Sequence, residues 1–181
     1  MATRAARVSP SRIARVAGAF YVLNIVAGSL AAMSGAGRQS VGTTMLLIST
    51  GAYVIVTILF YRLFKPVSAI ASLVAAIFSL IGCALSMLNT LHVSTTVDPL
   101  VFFGLYCLSI GYLIIRATFL PRTLGVLMVI AGFSWLTFAS PELAHQLSPF
   151  NFLPGIIGEG ALTVWLLVAG VNDQRWVEQA A

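Results

Sequence analysis

Apolar runs punctuated by isolated charges set the pattern of this chain. Six intervals are free of formal charge or nearly so. Val16 to Gly37 lies between Arg15 and Arg38, and Gln39 to Tyr61 between Arg38 and Arg62. Pro66 to Val97 lies between Lys65 and Asp98, long enough for one membrane crossing plus an outer loop that carries His92. Pro99 to Ile115 ends at Arg116, Thr123 to Pro141 runs from Arg122 to Glu142, and Pro154 to Asn172 is continuous only if Glu159 is admitted. A helix needs about 20 predominantly apolar residues to cross the hydrocarbon core of a bilayer. The pattern therefore predicts six helices near 13–34, 42–63, 67–91, 98–117, 121–139 and 154–171, with ends uncertain by several residues.

Composition agrees. Of the 181 residues, 59% are hydrophobic and 8% charged, whereas a water-soluble domain carries about 25% charged residues. The expected class is an all-α polytopic membrane protein, with its transmembrane domain over residues 13–172. The formal charge of +5 does not indicate a nucleic-acid partner, because the basic residues are dispersed among segment ends. They predict topology instead. If the N-terminus is cytoplasmic, the inner segments hold Arg4, Arg7, Arg12, Arg15, Arg62, Lys65, Arg116, Arg122 and Arg175, and the outer ones only Arg38. Lys and Arg in short loops favour the cytoplasmic side. Both termini are thus expected inside a bacterial cytoplasmic membrane, as a basic tail over 1–12 and a second tail over 173–181. Arg15, Arg62, Lys65, Arg116 and Arg122 act as topology anchors. The apolar stretch Ile13 to Met33 exceeds the 7–15 residues of a typical signal-peptide core, so an uncleaved first helix is expected. Cys83 and Cys107 both sit in apolar runs and read as small buried thiols.

Two inner turns look alike, "YRLFKPVSAIASLVAAIFSLIG" and "IRATFLPRTLGVLMVIAGFSWL". In each an Arg closes one helix and a Pro, suited to a first helical turn, opens the next. The second–third and fourth–fifth helices would then form equivalent hairpins, though any two tight cytoplasmic turns would share this chemistry. Ala71, Ala75, Ser79 and Cys83 recur every four residues, a seam of small side chains that lets another helix approach closely.

One residue breaks the apolar pattern. In "LPGIIGEGALTVWLLVAG", Glu159 follows Pro154 by five positions and lies between Gly158 and Gly160. A charge at the bilayer centre costs about 2.5–3.5 kcal/mol on insertion scales and marks function by default. Protonation, hydrogen bonding across the bundle or a water-filled cavity would each accommodate the carboxyl. Counting helical rise from the outer end puts Ser29, Thr50, Ser79, Tyr106, Ser134 and Trp135 within about 4 Å of its depth. All are hydrogen-bond donors, and no Lys or Arg shares that level. Asn24, nearer the midplane, is a second buried polar group. The glycines around Glu159 would let a helix or a ligand approach the backbone.

The sequence contains no phosphate-binding loop, no H-E-x-x-H and no C-x-x-C. No cofactor or metal is implied, since His92 with Asp98 and His145 with Glu142 follow no standard ligand spacing. No nucleophile–base pair is positioned, so an enzyme is not expected.

The order of "RIARVAGAFYVLNIVAGSLA", "LFYRLFKPV", "FFGLYCLSIGYLIIRATFLPRTLGVLMVIAGF" and "LPGIIGEGALTVWLLVAGVN" resembles the bacterial integral membrane proteins grouped as domain of unknown function 4386. The likeness covers most of Arg12 to Asn172, with compact outer loops here. It implies fold and location, and carries no activity. Two functional readings stand side by side. One is a binding or transport module for a proton or a small apolar or amphiphilic ligand, with Glu159 as anchor, Asn24 and Tyr106 as secondary contacts, and Ser79, Ser134 and Trp135 within reach. The other is an accessory membrane protein whose seams recruit partner helices or a second copy, with Glu159 serving packing alone. Membrane lipids are the expected surroundings in both.

Overall fold

The computed structural model of the chain describes residues 9–34, 38–93 and 95–181. Arg4 and Arg7 of the expected cytoplasmic tail lie outside the described residues. Eight α-helices follow one another: α1 (Pro10–Met33), α2 (Gln39–Phe64), α3 (Ala69–Thr90), α4 (Pro99–Arg116), α5 (Arg122–Leu136), α6 (Pro141–Leu147), α7 (Leu153–Val168) and α8 (Asp173–Ala180). Short 3-10 turns, Thr137–Ala139 and Phe150–Phe152, extend α5 and precede α7. With them, six helices are long and apolar enough to cross a membrane. Two helices, α6 and α8, go beyond the six expected segments. They are short and polar enough that no apolar run announces them.

Local chemistry starts these helices. Pro10, Pro99 and Pro141 occupy first turns, where the missing N–H has no intrahelical partner to lose. The side chains of Ser68, Asp98, Ser140 and Asn172 accept backbone N–H groups at the starts of α3, α4, α6 and α8. The expectation that proline opens α3 and α5 needs correction. Pro66 lies in the turn before Ser68, and Pro121 stands at the position preceding α5. Each restricts the approach to its helix without entering it.

The six long helices form a ring. Each packs on the next in the order α1, α2, α3, α4, α5, α7, and α7 closes back on α1. Inward faces bury Tyr21, Val56, Phe60, Tyr106, Ile110, Met128, Leu162 and Leu166. Outward faces leave Ile70, Phe133, Ile156, Val164 and Val168 more than half exposed. An apolar surface of that extent suits lipid as solvent, and it defines the class: a polytopic helical membrane protein.

Alpha-five and α4 touch through glycine. Gly104 and Gly111 lie seven residues apart on α4, as do Gly125 and Gly132 on α5, so each pair shares a face. A Cβ on Gly111 would lie 2.8 Å from the Gly125 carbonyl oxygen, and one on Gly125 2.8 Å from that of Gly111. The pair Gly104 and Gly132 is reciprocal in the same way, at 3.0 and 2.9 Å. On α3 the expected small-residue seam faces inward at Ala75, Ser79 and Cys83, while Ala71 is only half-buried.

The end at which α1 begins and α8 lies, called basal below, is fastened by α8 and the residues before it. Asp173 accepts hydrogen bonds from the Ser9 hydroxyl at 2.6 Å and the Ser11 N–H at 2.7 Å, serving the start of α1. The Trp176 indole donates to the Leu63 carbonyl at 2.8 Å, near the end of α2. Gln179 donates to the Arg116 carbonyl and accepts from the Thr118 N–H at the end of α4. Helix ends leave backbone groups without intrahelical partners, and α8 supplies them for three helices. Gly170 permits the turn into α8: its φ is +67°, and a Cβ there would lie 2.6 Å from the Ser11 hydroxyl.

Candidate functional site

Glu159 lies on α7, partly buried, with its carboxylate turned into the ring. Its Oε2 accepts a hydrogen bond from the Tyr21 hydroxyl of α1 at 2.8 Å. Its Oε1 accepts from the Trp135 indole of α5 at 2.8 Å and from the Cys107 thiol of α4 at 3.7 Å. Three donors thus come from three helices, and all are neutral. A carboxylate offers about four lone-pair sites, so the set nearly saturates it. Bonds to an ionised acceptor are about twice as strong as neutral ones. Among the described residues no Lys or Arg is a partner of this carboxylate.

Tyrosines extend the site. The hydroxyls of Tyr21 and Tyr53 stand 3.5 Å apart, and the Tyr53 ring meets those of Tyr21 and Tyr106 edge to face at 5.5 and 5.6 Å. The Tyr106 hydroxyl is buried without a hydrogen-bond partner among the described residues, in a residue 1% exposed. An unsatisfied buried hydroxyl costs about 1–3 kcal/mol. On the other side, Trp135 packs with Phe138 and Phe152. Gly155 lets α7 close on that indole, because a Cβ there would fall 2.1 Å from Cζ2 of Trp135. Gly158 seats α7 on the Leu127 carbonyl of α5, 2.7 Å from where its Cβ would be. Gly160, by contrast, has nothing within 4 Å of a built Cβ. Two of the three glycines flanking the carboxylate therefore serve helix–helix approach.

Of the residues expected near Glu159, the structure brings Trp135 into direct contact. Tyr106 is adjacent through Tyr53, but its chain neighbour Cys107 is the one that touches the carboxylate. Ser134 turns the other way, donating to the Asn151 carbonyl in the segment before α7. Ser79 pairs with Thr57 of α2 at 2.5 Å. Asn24 accepts from Ser49 at 2.7 Å and joins α1 to α2. Ser29 is exposed on the outside of α1, and Thr50 is half-buried on α2. Ser134, Ser79, Ser29 and Thr50 share the expected depth of Glu159 but not its azimuth, and Asn24, expected nearer the midplane, does not reach it either.

Tyr21 and Cys107 were not anticipated. Tyr21 lies eight positions before Ser29, about 12 Å of helical rise. The depth count took all helices to end at one level, and the observed pairing breaks that assumption. An aromatic residue with a hydroxyl, three residues before Asn24 on a predicted span, was the available signal. Among the described residues no group of three or more His, Cys, Asp or Glu side chains is placed to hold a metal ion.

The family model described as "Domain of unknown function (DUF4386)" matches residues 95–170. That range holds α4, α5, α6 and α7, with the glycine pairs, Cys107, Trp135 and Glu159. The match agrees with the resemblance over this part of the chain, while the stretches quoted from α1 and α2 lie outside it. An uncharacterized protein of Archaeoglobus fulgidus is 26% identical over 129 residues, covering 65% of this chain and 76% of the relative. No solved structure matches the chain.

Proposed function

We propose that this protein is a membrane module that takes up a proton or a small apolar or amphiphilic ligand at Glu159, in a bacterial cytoplasmic membrane with both termini inside. The carrying observation is the carboxylate itself, held by three neutral donors with no cation beside it among the described residues. A charge in an apolar medium is neutralised by a proton or a counter-ion where it can be. The neutral donors stabilise the anion without cancelling its charge, so an exchangeable positive partner remains favoured there. The unpartnered Tyr106 hydroxyl supports a second contact for such an occupant. Arg12, Arg15, Arg62, Lys65, Arg116, Arg122 and Arg175 cluster toward the basal end, while Arg38 stands at the opposite end, and this supports the cytoplasmic placement of the termini.

A structural reading has its own observation. Tyr21, Cys107 and Trp135 come from three different helices, so the same bonds tie α7 to α1, α4 and α5. Glu159→Gln separates the two. It keeps one acceptor oxygen for the Trp135 indole, turns an amide N–H toward the Tyr21 hydroxyl oxygen, and removes the titration. Wild type and variant are compared in nanodiscs by infrared difference spectroscopy across a pH titration and by native mass spectrometry. A protonated-carboxyl signal, or a bound species, lost in the folded variant is the expected result. Identical spectra and identical bound mass in both would leave Glu159 as a packing residue.

A further inference from the structure

Beside the glycine seam that draws α4 against α5, Leu108 meets Gly132 of α5 and also lines a groove between α4 and α3. Near the basal end α3 and α4 stand apart, leaving a groove of about 600 Å³ lined by Ser68, Ala71, Val74, Leu108, Ser109 and Tyr112, with Ile70 at its edge. Ser68, Ala71 and Ser109 contribute short side chains to its lining, and Val74, Leu108 and Tyr112 longer ones. The two serine hydroxyls are already engaged, Ser68 by the Ala71 N–H and Ser109 by the Leu105 carbonyl. Apart from the Tyr112 hydroxyl, the groove therefore presents mainly apolar surface, and an extended hydrocarbon chain fits that chemistry.

The basal mouth is basic. The Arg116 guanidinium lies 6.0 Å from the centroid of the Tyr112 ring, and Tyr112 itself lines the groove. Arg116 is exposed at the last turn of α4, and Lys65 is exposed three residues before Ser68. The five acidic residues are Asp98, Glu142, Glu159, Asp173 and Glu178, and none lines this groove. Uncompensated positive charge at the rim of an apolar groove between membrane helices complements an anionic lipid. We infer that the α3–α4 groove holds one acyl chain of an anionic glycerophospholipid, whose phosphate meets Arg116.

The test uses the whole protein, stripped of lipid in detergent and titrated with phosphatidylglycerol or phosphatidylcholine of matched chains. Native mass spectrometry reads lipid retention. One phosphatidylglycerol is expected to be retained about fivefold or more over phosphatidylcholine, the worth of one cation near a headgroup. Arg116→Gln should bring the two lipids to parity. Ala71→Leu and Ser109→Leu, which fill the groove without touching the charge, should each lower phosphatidylglycerol retention. Two groove variants are made so that a folding failure in one leaves the other to decide. Equal retention of both lipids by the wild type would overturn the inference. So would full retention in a folded groove variant, or displacement of the lipid by glycerol phosphate, which has the headgroup anion but no chain.

Discussion

The hairpins α2–α3 and α4–α5 have the same turn chemistry in sequence and are built on different principles in space. In α4–α5 two reciprocal glycine pairs let the backbones approach until each missing Cβ would strike the facing carbonyl at 2.8–3.0 Å. In α2–α3 the interface is less extensive, and its buried polar link is the Thr57–Ser79 hydroxyl pair. Gly82 of α3 faces the Phe103 ring of α4, not α2. The resemblance of the turns therefore reflects what tight basic turns require, and it does not extend to the packing of the helices they join. Lipid supplies no hydrophobic drive between helices, so contact must come from close packing or hydrogen bonds. In α4–α5 close backbone packing dominates, whereas α2–α3 adds one buried hydroxyl pair to ordinary side-chain packing.

The largest effect should come from the tighter hairpin. Gly111→Val puts a branched side chain where Val129 Cγ2 and the Gly125 carbonyl stand within 2.8 Å of the first added carbon. A loss of about 3 kcal/mol is expected, at the upper end for an overpacked site, measured by unfolding in mixed micelles. Tolerance of valine there would mean that the α4–α5 approach is not essential. Gly82→Ala should cost about 1 kcal/mol, because the obstacle at 2.9 Å is the edge of the Phe103 ring, which can swing. An equal loss at both glycines would mean that a facing ring resists an added carbon as firmly as a facing carbonyl. Thr57→Val should be the mildest, about 0.6 kcal/mol, the average worth of a hydrogen bond between membrane helices. A loss several times greater would show that the hydroxyl pair, and not van der Waals packing, holds α2 to α3.

Glu159 shows how far a single sequence reaches. The carboxylate was legible because it is a local anomaly, one charge in an apolar run. Trp135 was also legible, since its distance from the end of α5 approximates the depth of Glu159. Tyr21 and Cys107 were not. A hydrogen bond between helices depends on the azimuth of each residue and on the relative level of the two helices, and neither is encoded within one helix. The neighbouring pairs Tyr106 and Cys107, Ser134 and Trp135, make the point. One residue along a helix is a turn of 100°, and in each pair it decides which member meets the carboxylate.

What the sequence by itself determined is the set of six long helices, because the thickness of a bilayer converts apolar run length directly into a span. It also determined that Glu159 needs an explanation, because desolvation of a charge is a local cost wherever the residue lies. Only the tertiary structure decided the closed ring, the donors Tyr21, Cys107 and Trp135, and the α8 fastening at the basal end. These depend on contacts among residues distant in the chain, such as Tyr21 with Glu159 and Trp176 with Leu63. Many arrangements of six apolar helices would satisfy the same periodicity. Glycine against carbonyl, and donor against acceptor, select this one.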